Sequence, residues 1–531
     1  MTFSSQREKL GETARTSPAT GRLRRNAWRS SEIPTHVLSL VLAIGGVCLA
    51  ACSLAQPPTD KDKTPRRPNF LFLLTDDQRW DTLGCMGNAV VRTPEIDGLA
   101  RAGVLFRNAF VTTSVCSPSR ASILTGQYAR QRGVGDLHKL VTPDPSFATY
   151  PAVLRNKGYH TGHIGKWDVG TGEEGFRFGA NLFDYWGGDR FHGNYWHERD
   201  CPFVTHDGVH AKGDIRCTCP PDASMPRTGH VGMTNAIHTD RDIVPLKAKR
   251  FLTSRDKAKP FYLSISFRGP KDPWGDCPES YARFYESDAM PIPKTATCED
   301  ATGQPEFLRK SMGSQHGMRM VCDSNALAGE IRKYYRSIST VDATVGKLRR
   351  LLEEDSVADN TVILFASDNG HSLGEHGFWG KWLPYEGSIR VPFIVFDPRL
   401  PPKLRGMQRQ EMVLNIDWAP SILALAGCNI PAAIQGKDLT PLLNGSPTSW
   451  RTDWFYEHTW TAEGRIAPSE AVRSEEWKYV RYTGETPPVE QLFNLKDDPE
   501  ETYNQVADSN CGAITTKLRK RLEEYRRELA P

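Results

Sequence analysis

Beyond its first 51 residues the chain has no excess of charge of either sign. Residues 1–51 hold seven of the 67 Lys and Arg and three of the 63 Asp and Glu, which leaves 60 of each kind for the remainder. The formal net charge of +4 therefore belongs to the N-terminal segment. A neutral body supplies no bulk field for nucleic acid, so any anionic substrate has to be captured by a local cluster. The leading apolar run, "VLSLVLAIGGVCLAAC", is too short to span a bilayer comfortably. A composition of 39% apolar residues with 44 glycines gives no sign of a disordered or fibrous chain. What remains is a loop-rich globular chain, long enough at 531 residues for one large domain and a smaller one.

The apolar run follows the basic stretch "RLRRNAWRSSEIPTH" and ends in small residues, the layout of a secretory signal. Its end, Leu49-Ala50-Ala51-Cys52, resembles a bacterial lipobox. Cys52 is then expected to be lipidated as the mature N-terminus, with plain cleavage after Ala55 as the alternative. The following "QPPTDKDKTPRRPN" is polar and Pro-rich and reads as a tether. Residues 1–52 are thus expected to be a signal and 53–67 a linker. The protein is expected in the periplasm or cell envelope, touching the membrane only through its lipid. A buried core helix at this point is disfavoured by the flanking arginines and by the tether.

Six of the twelve cysteines, Cys201, Cys217, Cys219, Cys277, Cys298 and Cys322, crowd one stretch. In an exported protein they are expected to form disulfides. A zinc site at Cys217 and Cys219 with His206 and His210 is the alternative, but the spacing fits no common zinc pattern.

The run "NFLFLLTDDQ" reads as a buried parallel strand with acidic residues at its C-terminal tip. Four stretches then alternate helix and strand: "TPEIDGLARAGVLFRNAFV", "TYPAVLRNKGYHTGHIGKWD", "AKRFLTSRDKAKPFYLSISFRGP" and "VGKLRRLLEEDSVADNTVILFASDNG". Such alternation predicts an α/β sheet covered by helices on both faces, with ligands bound beyond the strand C-termini. After "GKDLTPLLNG" come short strand-like runs such as "EAVRSEEWKYVRYT" and a charged C-terminal helix. Residues 68–445 are read as the main catalytic domain and 446–531 as a small C-terminal subdomain.

Two strand tips carry adjacent polar pairs, Asp76-Asp77 and Asp368-Asn369. Adjacent carboxylates repel unless a cation neutralises them. Hard oxygen donors that include an Asn carbonyl suit Ca²⁺, or Mg²⁺, better than zinc. A single such pair would more simply be a helix cap; two pairs in one sheet point to a metal.

These residues also carry a family resemblance. Cys116-Ser117-Pro118-Ser119-Arg120, extended by Leu124-Thr125-Gly126, is similar to the signature of the type I sulfatases. "PNFLFLLTDDQRWDTLGCMGN", "SDNGHSLGEHGFWGKWLPYEGSIRVP" and "LFNLKDDPEETYN" resemble that family's other motifs, so the likeness spans roughly residues 68–505. It implies an alkaline-phosphatase-like α/β domain with a small C-terminal α+β domain. It implies hydrolysis of sulfate esters, most naturally on a carbohydrate or an aryl group. It also implies that a maturase oxidises Cys116 to formylglycine. A thiol attacking sulfur would leave a thiosulfate with no easy exit. An aldehyde hydrate offers one hydroxyl to attack and a second whose deprotonation expels sulfate as the aldehyde reforms. The resemblance places the cation on Asp76, Asp77, Cys116, Asp368 and Asn369. It places Arg120 beside the hydrate, and Lys166 and Lys381 on the sulfate. The helix that begins after Cys116 would add its N-terminal N–H groups to that anion site.

The chain departs from the family at two positions. The usual Gly-Lys-Trp-His reads Gly165-Lys166-Trp167-Asp168, and the usual Pro-His-x-Pro reads Pro270-Lys271-Asp272-Pro273. Those histidines normally move protons. Asp168 then stands as the base beside Lys166, and Lys271 or Lys381 as the acid if neighbours depress its pKa. Two other outcomes stay open: a phosphonate or phosphodiester hydrolase of the same superfamily, or a weakened protein that binds anionic glycans. "FDYWGGDRFHGNYWHERD", with His192 and His197, reads equally as a sugar-binding loop or as packing.

Overall fold

The computed structural model describes residues 66–132, 149–170, 172–189, 239–272, 274, 279–446 and 448–530. The signal, the lipobox at Cys52 and nearly all of the tether lie outside these residues, as do Cys201, Cys217, Cys219, Cys277, His192, His197, His206 and His210.

Ten strands lie in the first two-thirds of the described chain and just beyond. They are β1 (Asn69–Thr75), β2 (Val104–Phe110), β3 (His160–Lys166), β4 (Tyr185–Asp189) and β5 (Phe261–Ser266), then β6 (Thr361–Ser367), β7 (Ser372–Leu373), β8 (Trp379–Gly380), β9 (Arg390–Phe396) and β10 (Met407–Leu414). Eight form one sheet in the order β10-β2-β9-β6-β1-β5-β3-β4, and β7 pairs with β8 separately. Neighbours in the large sheet run parallel except at β9, which is antiparallel to both β2 and β6. All four helix–strand alternations read from the sequence are present.

Residues of period two sort themselves onto the two faces of the sheet. Leu71, Leu73, Leu263, Ile265, Ile363 and Phe365 join one apolar cluster. Phe70, Phe72, Tyr262, Val362, Leu364 and Ala366 join the other. A strand buried on both faces has no polar side to show, which is why β1 and β6 read as unbroken apolar runs.

The first face is covered by the 31-residue helix Ser324–Glu354. Its Leu327, Ile331, Tyr334, Ile338, Val341, Val345, Leu348 and Leu352 repeat every three or four residues and all enter that cluster. Asp323 caps the helix by accepting from the N–H groups of Asn325 and Ala326, each at 3.1 Å. On the second face Trp418, at the start of the helix Trp418–Leu425, stacks on Phe393 at 5.1 Å between ring centres and meets Phe72 edge-on at 5.8 Å.

The C-terminal segment adds β11 (Asp453–His458), β12 (Ser469–Ser474), β13 (Trp477–Tyr482) and β14 (Val489–Asn494), an antiparallel sheet in sequential order, with the helix Gly512–Glu528 against it. Its apolar core is shared with the large sheet: Phe110, Tyr385, Ile389 and Leu414 pack with Trp454, Tyr479 and Leu492. Cys298 and Cys322 form a disulfide, with Cα atoms 5.3 Å apart. Among the described residues no helix is long and apolar enough to cross a membrane.

Candidate active site

The site is built where β1 and β6 end side by side. Thr75 is in register with Ser367, so the two polar pairs that follow arrive at the same place. Asp77 takes a left-handed backbone, φ 63°, uncommon for a residue with a side chain. Two hydrogen bonds secure it. Its N–H donates to Asp368 Oδ1 at 3.2 Å, and its carbonyl accepts from the Tyr334 hydroxyl at 2.7 Å. The Asn369 amide donates to Asp77 Oδ1 at 2.6 Å, which leaves Asn369 Oδ1 buried and without a hydrogen-bond partner.

Cys116 opens the fully buried helix Cys116–Thr125, whose N-terminus no side chain caps. Its sulfur lies 3.5 Å from Asp76 Oδ1. Asp76, Asp77, Cys116 and Asp368 each offer a donor atom within 4.8 Å of the others. Three buried carboxylates, a buried cysteine and an unsatisfied amide oxygen form a donor set that fits a hard divalent cation.

Four cations close around this group. Arg120, one helical turn after Cys116, reaches Asp368 Oδ2 with Nε at 2.8 Å and Nη2 at 2.7 Å, and bonds the carbonyl of Lys166 at 3.1 Å. It also donates to Ser266, at the tip of β5. Lys166 ends β3 and pairs with Asp76, with Asp168 Oδ2 at 3.2 Å on its other side. Gly165 makes this approach possible: a Cβ there would stand 2.0 Å from the Ser266 carbonyl oxygen, and its φ is +89°. Lys381, just after β8, pairs with Asp77 and lies 2.7 Å from the Cys116 sulfur. Lys271 lies 3.3 Å from Asp77 Oδ2 and 4.0 Å from the same sulfur.

Burial raises the carboxylates, but the ammoniums of Lys166, Lys271 and Lys381 outweigh it and hold Asp76 and Asp77 below the usual range. Asp368 is pushed up, by burial first, against the pull of Arg120. Burial and the Asp76 charge push the Cys116 thiol up to about 11, so the unmodified side chain is a protonated thiol at neutral pH. An ammonium of depressed pKa at Lys271 or Lys381 is not found. Burial pulls both down, yet the facing Asp77 carboxylate and the Cys116 sulfur hold both up.

The ten residues that the sequence resemblance assigns to catalysis and metal binding thus meet at one point. Ser266 and Tyr334 were not singled out. A serine at a strand tip is a weak signal, and a tyrosine on an apolar helix stripe carries none beyond packing.

A family model described as Sulfatase matches residues 68–428, and one described as N-sulphoglucosamine sulphohydrolase, C-terminal, matches residues 374–528. The chain is 27% identical to an N-acetylglucosamine-6-O-sulfatase of Bacteroides thetaiotaomicron, covering 92% of this chain and 91% of the relative. It is 29% identical to an arylsulfatase of Clostridium perfringens, covering 83% and 90%. A solved structure in complex with its substrate D-glucosamine-2-N,6-O-disulfate matches with a TM-score of 0.72 at 24% identity, over 87% of this chain and 98% of the other. The phosphonate monoester hydrolase of Agrobacterium radiobacter matches with a TM-score of 0.69 at 25% identity, over 87% and 96%. With a matched family model over most of its length and the fold to go with it, this chain belongs to the sulfatase family of the alkaline-phosphatase-like superfamily.

Proposed function

We propose that this sulfatase removes sulfate from a sulfated saccharide, with Cys116 converted to formylglycine and a Ca²⁺ or Mg²⁺ ion held by Asp76, Asp77, Asp368, Asn369 and residue 116. The observation that carries the reading is the convergence of Cys116 with three carboxylates inside 4.8 Å, ringed by Lys166, Lys271, Lys381 and Arg120. The saccharide reading rests on relatives such as the N-acetylglucosamine-6-O-sulfatase and on the neighbour solved with a sulfated glucosamine. A bound divalent ion would acidify a hydroxyl on residue 116 and polarise a sulfate oxygen. A formylglycine hydrate would supply the nucleophilic hydroxyl that a thiol of raised pKa does not.

The chain's own groups do the rest. Lys166 and Lys381 bind the non-bridging oxygens of the ester as two point charges. Arg120 fixes Asp368 with its planar fork and so sets the position of the ligand group. Lys271, more exposed than the other two lysines (29% against 5% and 7% for their side chains), faces the departing alcohol oxygen; with its pKa held up it acts there as a fixed positive charge on the developing alkoxide and not as the proton donor expected from the sequence. Asp168, beside Lys166, accepts the proton whose loss releases sulfate. With Asp168 counted, the four cations face four carboxylates. A divalent ion would leave the site positive, suited to a monoanionic ester. The basic, then apolar, N-terminal segment supports export, with Cys52 as lipid anchor.

The phosphonate monoester hydrolase likeness favours one competing reading, turnover of phosphonate or phosphodiester substrates on the same donor set. The test is purified protein from a host that forms formylglycine. The tryptic peptide carrying residue 116 is expected to be about 18 Da lighter than the thiol form, from CH₂SH to CHO. Cys116→Ala is expected to abolish turnover while the fold is kept, and sulfated sugars to be cleaved faster than aryl phosphonates. Active protein with an intact thiol would sink the mechanism. Faster phosphonate cleavage would give the competing reading its place.

A further inference from the structure

Lys271 ends a four-residue turn, residues 268–271, that follows β5, and all three backbone N–H groups of that turn are committed. The Lys271 N–H closes it by donating to the Arg268 carbonyl at 3.1 Å. The other two belong to Arg268 and Gly269, and both donate to one side chain. Asp240 takes the first on Oδ1 at 3.1 Å and the second on Oδ2 at 2.7 Å. The carbonyls of the turn are held as well. That of Gly269 accepts from the Asp76 N–H at 3.2 Å, and that of Pro270 accepts from the Trp274 indole.

Asp240 is 2% exposed and lies in a single wide helical turn, Thr239–Ile243, that leads into the helix Val244–Ser254. Wide turns of this kind recur at functional sites. Gly269 lets the carboxylate come close. A Cβ there would stand 3.1 Å from Asp240 Oδ2, 2.9 Å from the Ser337 hydroxyl oxygen and 3.0 Å from Val341. The turn is thus wedged between Asp240 and the helix Ser324–Glu354. Both carboxylate oxygens are used, and no neutral side chain of this size offers two acceptor atoms. Lys271 has a flexible four-carbon stem and is the most exposed of the three lysines at the site, so its ammonium is placed only as well as its backbone is.

We propose that Asp240 is a positioning residue for Lys271: through the N–H groups of Arg268 and Gly269 it sets the backbone from which the ammonium reaches the leaving oxygen. This role rests on the reading of Lys271 given above, as the fixed charge that meets the developing alkoxide of a sulfated sugar. Asp240 itself touches neither the substrate nor the reacting atoms. Its loss is therefore felt where Lys271 is needed, on esters with a poor leaving group, and little elsewhere.

The experiment compares Asp240→Asn, Lys271→Ala and the double variant with the wild type, as full-length formylglycine-containing protein. Each sample is assayed on sulfated monosaccharides and on 4-nitrophenyl sulfate, whose leaving group carries its charge unaided. An unfolded fraction lowers both rates alike and cancels in their ratio. Asp240→Asn keeps the volume but offers one acceptor oxygen and turns an NH₂ toward a backbone N–H. It is expected to lower kcat by about tenfold or more on the best sugar and by less than about threefold on the aryl sulfate. In the double variant it should cost the sugar reaction no more than about twofold beyond Lys271→Ala alone, because the two residues act as one unit. Asp240→Ser, smaller and with one acceptor, is expected to shift the ratio in the same direction and stands in where the amide is not accommodated. Equal losses on the two esters, or no loss on either, overturn the role, since Asp240 would then serve the fold or the Asp76 side alone. A loss that multiplies with that of Lys271→Ala overturns it too. These three results leave the saccharide reading standing. Lys271→Ala slowing both esters alike removes the reading of Lys271 and the role of Asp240 with it. A wild type that cleaves the aryl sulfate but no sugar overturns the saccharide reading itself, and Asp240 then has no alkoxide to act upon.

Discussion

Lys271 and Asp168 stand where the sequence resemblance leads one to expect histidines, and both lie at the candidate site. Lys271 lies 4.0 Å from the Cys116 sulfur, and Asp168 lies 3.2 Å from the Lys166 ammonium. If Lys271 stabilises the charge that develops on the leaving oxygen, Lys271→Ala should slow sulfated sugars by about 10²–10³-fold and activated aryl sulfates little, since an aryl oxide carries that charge unaided. Equal, small losses on both would reduce Lys271 to a binding residue. Faster turnover after restoring histidine at both positions would mark a degenerate enzyme. A second residue-level prediction concerns His163, buried among Trp167, Phe183 and Trp186, where burial and the Arg120 charge push its pKa down to about 3. The unfolded chain takes up this proton near pH 6.5 and the folded chain does not. The resulting stability is whole above pH 6.5 and is lost as pH falls toward 3. His163→Phe should remove about 2 kcal/mol of the acid loss between pH 7 and 5, read from urea unfolding at both pH values. The difference between the two proteins isolates His163 from Glu457 and Asp342. Burial raises those carboxyls to about 7, and they act in the opposite direction. A variant with the same pH slope as wild type would show that His163 is protonated in the fold.

At the scale of elements, what could be read was what burial writes into composition. β1 and β6 are apolar between their terminal residues because both faces are covered, and the polar pairs just beyond their C-terminal ends mark the site. Strand direction leaves no such trace. "RVPFIVF" of β9 looks like its parallel neighbours, yet it runs against β2 and β6 because the chain enters it from the site end of the sheet after the β7–β8 excursion. The edge strands were equally hard to see. β10, "MQRQEMVL", is half polar because it has a neighbour on one side only, and β4, "YWGGD", is rich in glycine. The lysines were legible only through their motifs. Taken singly each reads as a solvated side chain, and it is the register of distant strands that turns three of them inward. The cysteine-rich stretch yielded one bridge among the described residues, Cys298–Cys322, across 24 positions. Removing it with Cys298→Ser and Cys322→Ser should lower stability by about 3 kcal/mol in urea, mainly by freeing the unfolded chain. Wild-type protein that unfolds at the same urea concentration with and without reductant would show that the bridge contributes nothing.

At the scale of the molecule, the C-terminal sheet is joined to the site by charge as well as by apolar packing. Lys478, fully buried on β13, reaches Glu501 at 2.5 Å and Glu386 at 3.3 Å, and Arg473 on β12 reaches Glu386 at 3.4 Å. Burial raises Glu386, but Arg473 and Lys478 pull it down to about 2. Burial lifts Glu501 to about 7 despite Lys478. Removing the shared cation leaves Glu501 buried without its ammonium, while Glu386 keeps Arg473 and, at 3.9 Å, Arg390. Lys478→Met should cost about 3–5 kcal/mol, with Glu501→Gln in the same chain recovering part of it. A loss below 1 kcal/mol, the size of a surface pair, would mean that water reaches this network.

Glu386 lies five residues after Lys381, and its partners come from the last quarter of the chain, so the seam between the two sheets is not a seam in the gene. A recombination joint placed near residue 446 would pair a Glu386 from one parent with an Arg473 and a Lys478 from another. A joint upstream of residue 374, where the second family match begins, keeps the network whole. Such a joint carries Lys381 and Trp382 along with the C-terminal sheet. The part of the chain that looks like an appendage would then travel with one wall of the candidate site.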